Sequence, residues 1–230
     1  MAAMTADALA IWPLTGLAVV TPRVRLRYIT DELGFELAQL AAQGIHHPST
    51  MPFATPWTDV PSPELERNTM RFYWRSRAET CIAHWDLQLA VLVDGAPIGM
   101  CSIAADSFQA DRSVETGSWI GRHHQGRGFG REARQAVLHL IFAGLDADRA
   151  TTGAWHDNAA SLAVTRSLPY VRTGTSVQPR RGRPDTMLNF AMSRTDWDGV
   201  RRSDISLVGV EPVRDQLATA RGGIRGPRSA

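Results

Sequence analysis

The order of apolar and polar positions divides the first part of the chain into distinct elements. Residues 23–29 (RVRLRYI) alternate arginine with apolar side chains, a pattern typical of a half-buried strand. From Thr30 to about Gln43 the apolar spacing becomes helical, with an N-cap at its start. Residues 46–63 hold five prolines and fit no regular element. We expect an ordered loop there, because it has apolar side chains to bury at Met51, Phe53 and Trp57.

The middle of the chain predicts a helix followed by three strands. Helical spacing returns between Pro63 and about Thr80. Strand-like apolar runs then occupy residues 85–93, 97–105 and 114–121. Asp94 and Gly95 separate the first two runs and form a strong signal for a hairpin turn. These runs therefore predict antiparallel neighbours.

The second half alternates between helices and strands. The predicted elements are a helix at 129–145, a strand at 150–156, a helix at 157–168, strands at 171–177 and 186–192, and a further strand at 205–210. Asp157 or Asn158 caps the second helix, and Pro169 stops it. This order fits an α+β fold. We expect one domain over residues 1–230, with a core at about 20–195 and an extension at about 199–230 whose end frays.

The composition, 43% hydrophobic and 21% charged, is that of an ordinary soluble globular protein. No apolar run approaches the roughly 20 residues that a membrane helix needs. The apolar stretch at 9–20 contains Pro13 and follows an aspartate rather than a basic segment, so it makes a poor signal peptide. We therefore expect a cytoplasmic protein with no membrane partner, in which Cys81 and Cys101 are reduced and buried.

Every one of the 25 residues counted as lysine or arginine is an arginine. This excludes Schiff-base chemistry, a lysine nucleophile and a P-loop lysine, although the codon composition of the source genome is the explanation we favour for the bias. A net charge of +2 is too small to indicate a nucleic-acid partner. The densest basic cluster is interpreted as a solvated loop, with substrate gating as the second interpretation; it comprises Arg180, Arg181 and Arg183.

The strongest candidate for chemistry is the glycine-rich stretch QGRGFG at 125–130, between a predicted strand and a predicted helix. Glycines at alternate positions leave backbone N–H groups free to converge on an anion at the helix N-terminus. A nucleotide P-loop is excluded, because it requires lysine. A dinucleotide fingerprint fits poorly, because the spacing is G-x-G-x-G and Asp146 and Asp148 precede the next strand instead of ending it. Coenzyme A is the third class of ligand.

Several motifs resemble those of the GNAT N-acetyltransferases. The stretch at 125–130 resembles the pyrophosphate loop of that family, usually Q/R-x-x-G-x-G/A. Four other segments resemble the ribosomal-protein-alanine acetyltransferase branch in its own order: TPRVRLRYIT at 21–30, VETGSWIG at 114–121, DNAAS at 157–161 and SLPYVRTG at 167–174. The resemblance covers about residues 20–195. It implies a single GNAT-like domain, with a mixed, mostly antiparallel central sheet of about six or seven strands flanked by about four helices.

The resemblance also implies a cosubstrate and the residues that bind it. Acetyl-CoA would be the donor, with its pantetheine arm paired to the backbone of Trp119, Ile120 and Gly121. Its pyrophosphate would be bound by the glycine-rich loop and the helix after it, at Gln125, Gly126, Arg127, Gly128, Phe129, Gly130 and Arg131. Asn158 and Ser161 complete the cofactor site. No metal is expected, because the paired histidines lack chelating spacing.

Two residues are candidates for proton transfer. Glu115 is the candidate base, with pairing to an arginine as an equally good interpretation. Ser161 is the candidate acid or the anchor of a water molecule, and an ordinary helix serine is the alternative. The chain departs from the family at Thr165, where many members place the tyrosine that protonates the leaving thiol, and at Pro169, where glycine is usual. Trp57 could line an acceptor pocket.

The function implied is an N-acetyltransferase that moves an acetyl group from acetyl-CoA to a primary amine. The amine, on a protein N-terminus or a small molecule, would attack the thioester directly in a ternary complex. The alternative from another class is a non-catalytic acyl-CoA-binding sensor on the same fold, and a Rossmann-type oxidoreductase ranks far behind both. The acceptor stays unidentified at this level, and either a monomer or a homodimer fits.

Overall fold

One nine-stranded sheet organises the chain in the computed structural model, which describes residues 6–218. Its order is β7-β8-β6-β5-β4-β3-β2-β1-β9. The strands are β1 Ala18–Val20, β2 Arg25–Tyr28, β3 His84–Val93, β4 Ala96–Asp106, β5 Ser113–Ile120, β6 Arg149–Trp155, β7 Val171–Arg180, β8 Arg183–Ser193 and β9 Ser206–Val208. Every neighbouring pair is antiparallel except β5 and β6, which are parallel. The mixed, mostly antiparallel sheet is therefore confirmed.

Residues 6–218 contain eight α-helices instead of the four expected. The helices are α1 Ala6–Ile11, α2 Asp31–Ala42, α3 Glu64–Glu79, α4 Phe108–Asp111, α5 Phe129–His139, α6 Ala159–Arg166, α7 Arg194–Asp198 and α8 Val210–Ala218. The four predicted helices correspond to α2, α3, α5 and α6, and Thr30 caps α2 through its side chain as expected. The other four were not predicted; three of them have six residues or fewer, too short to show a clear apolar stripe, and the fourth, α8, begins where a strand was expected.

The predicted strand count of six or seven is also too low. All seven strands from β2 to β8 were predicted, and β9 lies within the strand expected at 205–210; β1 was not predicted, and β1 and β9 extend the sheet beyond β2 with three residues each. The strand expected at 205–210 ends earlier, because Gly209 turns the chain at φ +68° before α8 begins. The frayed end expected beyond residue 218 lies outside the described residues.

Two layers of side chains cover the two faces of the sheet. Along β3, Trp85, Leu87 and Leu89 pack on the face covered by α5 and α8, while Ala90 and Leu92 pack against α2 and α3. Because alternate strand residues point to opposite faces, burial on both sides explains why β3 is a continuous apolar run.

The two cysteines differ in environment. Both are free, as expected, and Cys101 is fully buried, which raises the pKa of its thiol to about 12. The expectation of burial is wrong for Cys81, which is exposed just beyond the end of α3. Within residues 6–218, no helix is long and apolar enough to cross a membrane.

Gly99 sets the spacing between β4 and β5, because a Cβ there would lie 2.2 Å from the Trp119 carbonyl oxygen. We expect Gly99→Ala to lower the free energy of unfolding by about 2 kcal/mol or more, since the overlap is with backbone. Gly199→Ala is the matched control, because its Cβ would lie at an ordinary contact distance of 3.5 Å from the Asp196 carbonyl oxygen. Urea unfolding of both variants measures the difference; equal stability would contradict the close packing.

Candidate active site

The site begins where two parallel strands stop pairing. β5 and β6 are joined by only three residue pairs, from Ser113–Arg149 to Glu115–Thr151. Beyond them β5 stays paired to β4 as far as Ile120, and β6 stays paired to β8 as far as Trp155. The sheet therefore splits, and a cavity of about 1030 Å³ opens at the split. It is bordered by β5, β6, α6, the glycine-rich loop and the proline-rich loop.

The glycine-rich loop follows β5 and leads into α5. Gly126 and Gly128 have φ of +75° and +81°, a region that side chains disfavour, and Gly128 is the N-cap of α5. The backbone amides of residues 126–131 donate no hydrogen bond to any described residue, and the first described helical bond runs from Glu132 N to Gly128 O. This gives a run of free donors at a helix N-terminus, as the sequence pattern predicts.

Gln125 holds the loop in place from within. Its Nε2 donates to the carbonyl oxygens of Ile45 and Ile120, both at 2.7 Å. Its side chain therefore ties the loop to β5 and to the segment after α2. Gln125 borders the cavity, but its amide nitrogen is committed to the protein backbone.

Basic side chains surround the free amides. Arg127 and Arg131 are exposed, and Arg131 donates to the Ser167 carbonyl oxygen at 3.3 Å. Arg23 was not among the sequence candidates; its Nη2 donates to the Arg127 carbonyl oxygen at 2.7 Å, and its guanidinium lies 4.7 Å from the Phe129 ring centroid. Arg23 lies in the turn before β2, more than 100 residues from Arg127 in the sequence. The sequence showed this arginine only as part of a strand pattern and gave no sign of its contact with the loop.

The free edge of β5 forms one wall of the cleft. Trp119 is buried and its ring lies 6.2 Å from that of Trp57. Ile120 is half-buried, and Gly121 abuts Leu40 so closely that a Cβ would lie 2.9 Å from Leu40 Cδ1. The side chain of Trp57 therefore packs behind the wall, while Phe53 from the same loop borders the cavity.

Asn158 and Ser161 lie on the opposite wall, at the start of α6. Asn158 Oδ1 accepts a hydrogen bond from Ser161 N at 3.1 Å, so Asn158 is the N-cap of the helix. Both residues border the cavity. Thr165 is 1% exposed and donates to the Ser161 carbonyl oxygen at 3.0 Å, so its hydroxyl is turned back into the helix.

Glu115 is exposed, borders the cavity and takes part in no ion pair with the described arginines. The register aligns it with Ala104 and Asp86, so Glu115 and Asp86 lie on the same face. Burial raises the pKa of Asp86 to about 6, and the negative charge of Glu115 adds to the increase. Sequence reasoning missed Asp86, since it lies within an apolar strand run.

Arg134 of α5 lies beneath the split and is 4% exposed. Its Nη1 donates to Thr116 Oγ1 at 2.9 Å and to Thr152 Oγ1 at 3.1 Å, and its Nη2 donates to Ser118 Oγ at 3.2 Å. Thr152 Oγ1 in turn donates to the Thr116 carbonyl oxygen at 3.0 Å. These side chains join β5 to β6 at the level where the backbone ladder ends. Sequence reasoning missed this buried arginine, because nothing in the helical pattern of α5 distinguishes Arg134 from an exposed arginine.

Arginines at the tip of the β7–β8 hairpin bind the proline-rich loop. Arg180 donates to the Met51 carbonyl oxygen at 2.7 Å and to carboxylates of Asp157 and Asp185 at 2.8 and 2.9 Å. Arg181 pairs with Asp59 at 2.7 Å. The interpretation of this cluster as a solvated loop is therefore wrong for Arg180, whose side chain is only 12% exposed.

Comparison with known protein families matches residues 23–170 to the family described as "Acetyltransferase (GNAT) domain". The chain belongs to the GNAT acetyltransferases. YdaF of Bacillus subtilis (strain 168), named as a ribosomal N-acetyltransferase, is 25% identical over 131 residues, which cover 53% of this chain and 71% of YdaF. This GNAT acetyltransferase therefore resembles the ribosomal-protein branch, as the motifs indicate.

Solved structures share the fold. RimJ of Mycobacterium smegmatis in complex with a coenzyme A disulfide has a TM-score of 0.65 at 17% identity, covering 85% of this chain and 97% of that one. RimL, described as a ribosomal L7/L12 α-N-protein acetyltransferase in complex with coenzyme A, has a TM-score of 0.64 at 18% identity, covering 76% and 96%. GNAT acetyltransferases use acetyl-CoA as their cosubstrate. Residues 6–218 contain no group of histidine, cysteine and acidic side chains that could hold a metal ion.

The hairpin contact predicts a pH-dependent stability. Hydrogen bonding from Arg180 lowers the pKa of Asp185. The stabilisation of the fold by this ion pair is therefore present near neutral pH and is lost as the pH falls below about 4. We expect Arg180→Met to lower the Tm at pH 7 by roughly 3 °C. Between pH 5 and pH 3 the Tm of the variant should fall less than that of the wild type, because the variant has no ion pair left to lose.

Arg183→Met is the matched control, because Arg183 lies on the same hairpin and is exposed. Thermal unfolding of the three proteins across that pH range is the measurement. Parallel curves for the wild type and Arg180→Met would contradict a role for this ion pair.

Proposed function

We propose that the chain is an N-acetyltransferase that moves an acetyl group from acetyl-CoA to a primary amine by direct attack in a ternary complex. The observation that carries the proposal is the run of free amides at residues 126–131, directly beside the unpaired edge of β5. Together they offer an anion site and a strand edge, which the pyrophosphate and the amide-containing pantetheine arm of coenzyme A would occupy.

In this proposal the loop binds the pyrophosphate through backbone donors, supported by about half a positive charge at the N-terminus of α5. Arg127 and Arg131 add charge at the rim, and Arg23 adds a third cation that the sequence did not indicate. The backbone of Trp119, Ile120 and Gly121 pairs with the pantetheine arm, and an N–H from the same stretch polarises the thioester carbonyl.

Glu115 and Ser161 serve proton transfer in this proposal. Both border the same cavity. Glu115 occupies the last position at which β5 pairs with β6, and Ser161 lies in the first turn of α6. Glu115 accepts the proton that the attacking amine loses, directly or through water. Ser161, or a water molecule that it binds, supplies the proton that the departing thiolate needs. Thr165 is unsuited to that role, since its hydroxyl is bound to the helix backbone.

We propose a protein N-terminus as the acceptor in preference to a small amine. The names of YdaF and RimL point to ribosomal proteins as acceptors of those relatives. Glu115 places at the cavity a carboxylate that no described arginine neutralises, which suits a cationic amine arriving from solvent. Such an acceptor would be met in the cytoplasm, by a monomer or a homodimer in which residues 1–230 form one domain.

The alternative is a non-catalytic acyl-CoA-binding sensor, which the absence of a tyrosine at Thr165 favours. Release of free coenzyme A from acetyl-CoA in the presence of N-terminal peptides separates the two functions. An enzyme releases the thiol in proportion to peptide acetylation, whereas a sensor binds acetyl-CoA without turnover.

Gly128 tests the loop. At φ +81° a β-branched side chain is strained, and a Cβ would lie 3.6 Å from Arg23 Nη1. We expect Gly128→Val to weaken coenzyme A binding by about 100-fold or more in calorimetry. Gly182→Val is the matched control, since Gly182 has a φ of +76° in the β7–β8 turn and does not border the cavity. Unchanged affinity in Gly128→Val would remove the loop from the binding site.

Glu115 tests the chemistry. We expect Glu115→Gln to reduce kcat by about 10²- to 10⁴-fold with coenzyme A affinity unchanged. The wild-type rate should fall at acidic pH, because a protonated base cannot accept the proton of the amine, and the variant should lose this limb of the profile. Asp86→Asn is the control, because Asp86 has a pKa of about 6 but lies two strands away. An acidic limb that survives in Glu115→Gln and disappears in Asp86→Asn would assign the base to Asp86.

A further inference from the structure

The buried guanidinium of Arg134 is a charged group at the base of the cleft to which the proposed binding of coenzyme A gives no role. It borders the cavity at the level where β5 and β6 separate. It is 4% exposed, and its hydrogen-bond partners are three hydroxyl groups, those of Thr116, Ser118 and Thr152. Among the described residues, no carboxylate forms an ion pair with it.

A buried cation without a counter-ion is unfavourable, because hydroxyl groups replace water only in part. Buried arginines are normally paired with a carboxylate or a phosphate. Two other arginines border this cavity: Arg180 follows that rule, since it is paired with Asp157 and Asp185, and Arg131 is exposed to solvent and needs no counter-ion. The contrast indicates that the anion for Arg134 comes from a ligand.

The phosphates of coenzyme A are an unsuitable counter-ion for Arg134. The free amides that suit a pyrophosphate begin at Gly126, whereas Thr116 and its partner Arg134 lie at the closed end of the split. Gly121 lies five residue steps along the extended strand from Thr116, a distance of about 16 Å. A donor whose phosphates occupy the loop and whose arm follows β5 therefore brings its acyl end, and not its phosphates, toward Arg134.

We propose that the cleft takes an acyl-CoA whose acyl group ends in a carboxylate, the half-thioester of a short dicarboxylic acid, and binds it more tightly than a neutral acyl-CoA. The carboxylate pairs with Arg134, and the hydroxyls of Thr116, Thr152 and Ser118 surround it. This inference rests on the proposed binding of coenzyme A. It adds a specificity for the acyl group to that function.

The residues around the base of the split favour a resident carboxylate over a methyl group. Thr116, Ser118, Thr152 and Arg134 present hydroxyls and a cation, from which a methyl group gains little. The transfer itself is unchanged by the longer acyl group. The bond from the amine nitrogen to the acyl carbon forms, the carbon–sulfur bond breaks, and the proton that the amine loses ends on the thiol. The product amide then carries a free carboxylate.

Two coenzyme A thioethers of equal length test the proposal without any turnover. S-carboxypropyl-CoA and S-butyl-CoA differ only in the terminal carboxylate, and calorimetry measures their dissociation constants for the wild-type protein. We expect the carboxylated thioether to bind at least about tenfold more tightly, since a charge-assisted pair forms in a water-poor site.

Variants of the two arginines on α5 assign the preference. Arg134→Met should remove the preference, so that the dissociation constants of the two thioethers lie within about twofold of each other. Arg131→Met should weaken both thioethers by the same factor, because Arg131 lies at the exposed rim of the loop. Thr152→Val covers the case in which Arg134→Met fails to fold; it removes one hydroxyl, keeps the cation and should keep the preference.

The outcomes separate this inference from the proposed function. If wild-type protein binds both thioethers equally, Arg134 serves only to join the strands or to stabilise charge during the reaction, and the inference is wrong. A preference that persists in Arg134→Met would also overturn it. If neither thioether nor coenzyme A binds, the assignment of the loop falls as well. Tight binding of both with a carboxylate preference supports both conclusions.

Discussion

The structure depends on how the backbone N–H and C=O groups of β5 and β6 find hydrogen-bond partners after the two strands separate. β5 and β6 share only three residue pairs, and the groups along the edges beyond them need other partners, since unpaired polar groups are costly when buried. Near the branch, side chains take over this role: the Thr116 hydroxyl donates to the Thr151 carbonyl oxygen, and the Thr152 hydroxyl donates to that of Thr116. Arg134 donates to both hydroxyls and fixes their orientation. Further along, the edge of β5 faces the cavity, where an extended ligand can complete the ladder.

The glycine-rich loop follows from the same geometry. Once β5 ends, the chain must turn sharply into α5, and the left-handed conformations of Gly126 and Gly128 allow that turn. The turn leaves a series of backbone donors that bond to no described residue, and Gln125 ties the base of the loop to β5. The anion site and the strand edge are thus consecutive parts of one chain segment, which places a phosphate and a flexible arm in fixed relation to each other.

Local pattern was enough to predict most of the fold and the position of the glycine-rich loop. The seven strands from β2 to β8 and the long helices have clear periodicity, and the alternating glycines mark the turn into α5. The three residues of β1 are too few positions for a period, and α7, with five residues, begins at a capping box at Ser193 without an apolar stripe to mark it. The remaining contacts lie far apart in sequence. Arg23 reaches the loop across more than 100 residues, and Arg180 joins Met51, so neither could be inferred from spacing.

The two sides of the cleft also differ in how they are held. The side that we propose for the cofactor rests on backbone geometry, which a sequence motif records. The side that we propose for the acceptor rests on side-chain pairs between the proline-rich loop and the β7–β8 hairpin, such as Arg181 with Asp59, and any other complementary pair would serve as well. For this reason the residues that shape the acceptor pocket are those on which the sequence was least informative.

A crystal structure with coenzyme A tests the central claim most directly. We expect the pyrophosphate within hydrogen-bond distance of the amides of residues 126–131 and the pantetheine arm paired with the backbone of residues 119–121, with the sulfur between β5 and β6. Coenzyme A bound elsewhere, or an arm that avoids the edge of β5, would contradict the claim that the split in the sheet is the donor site.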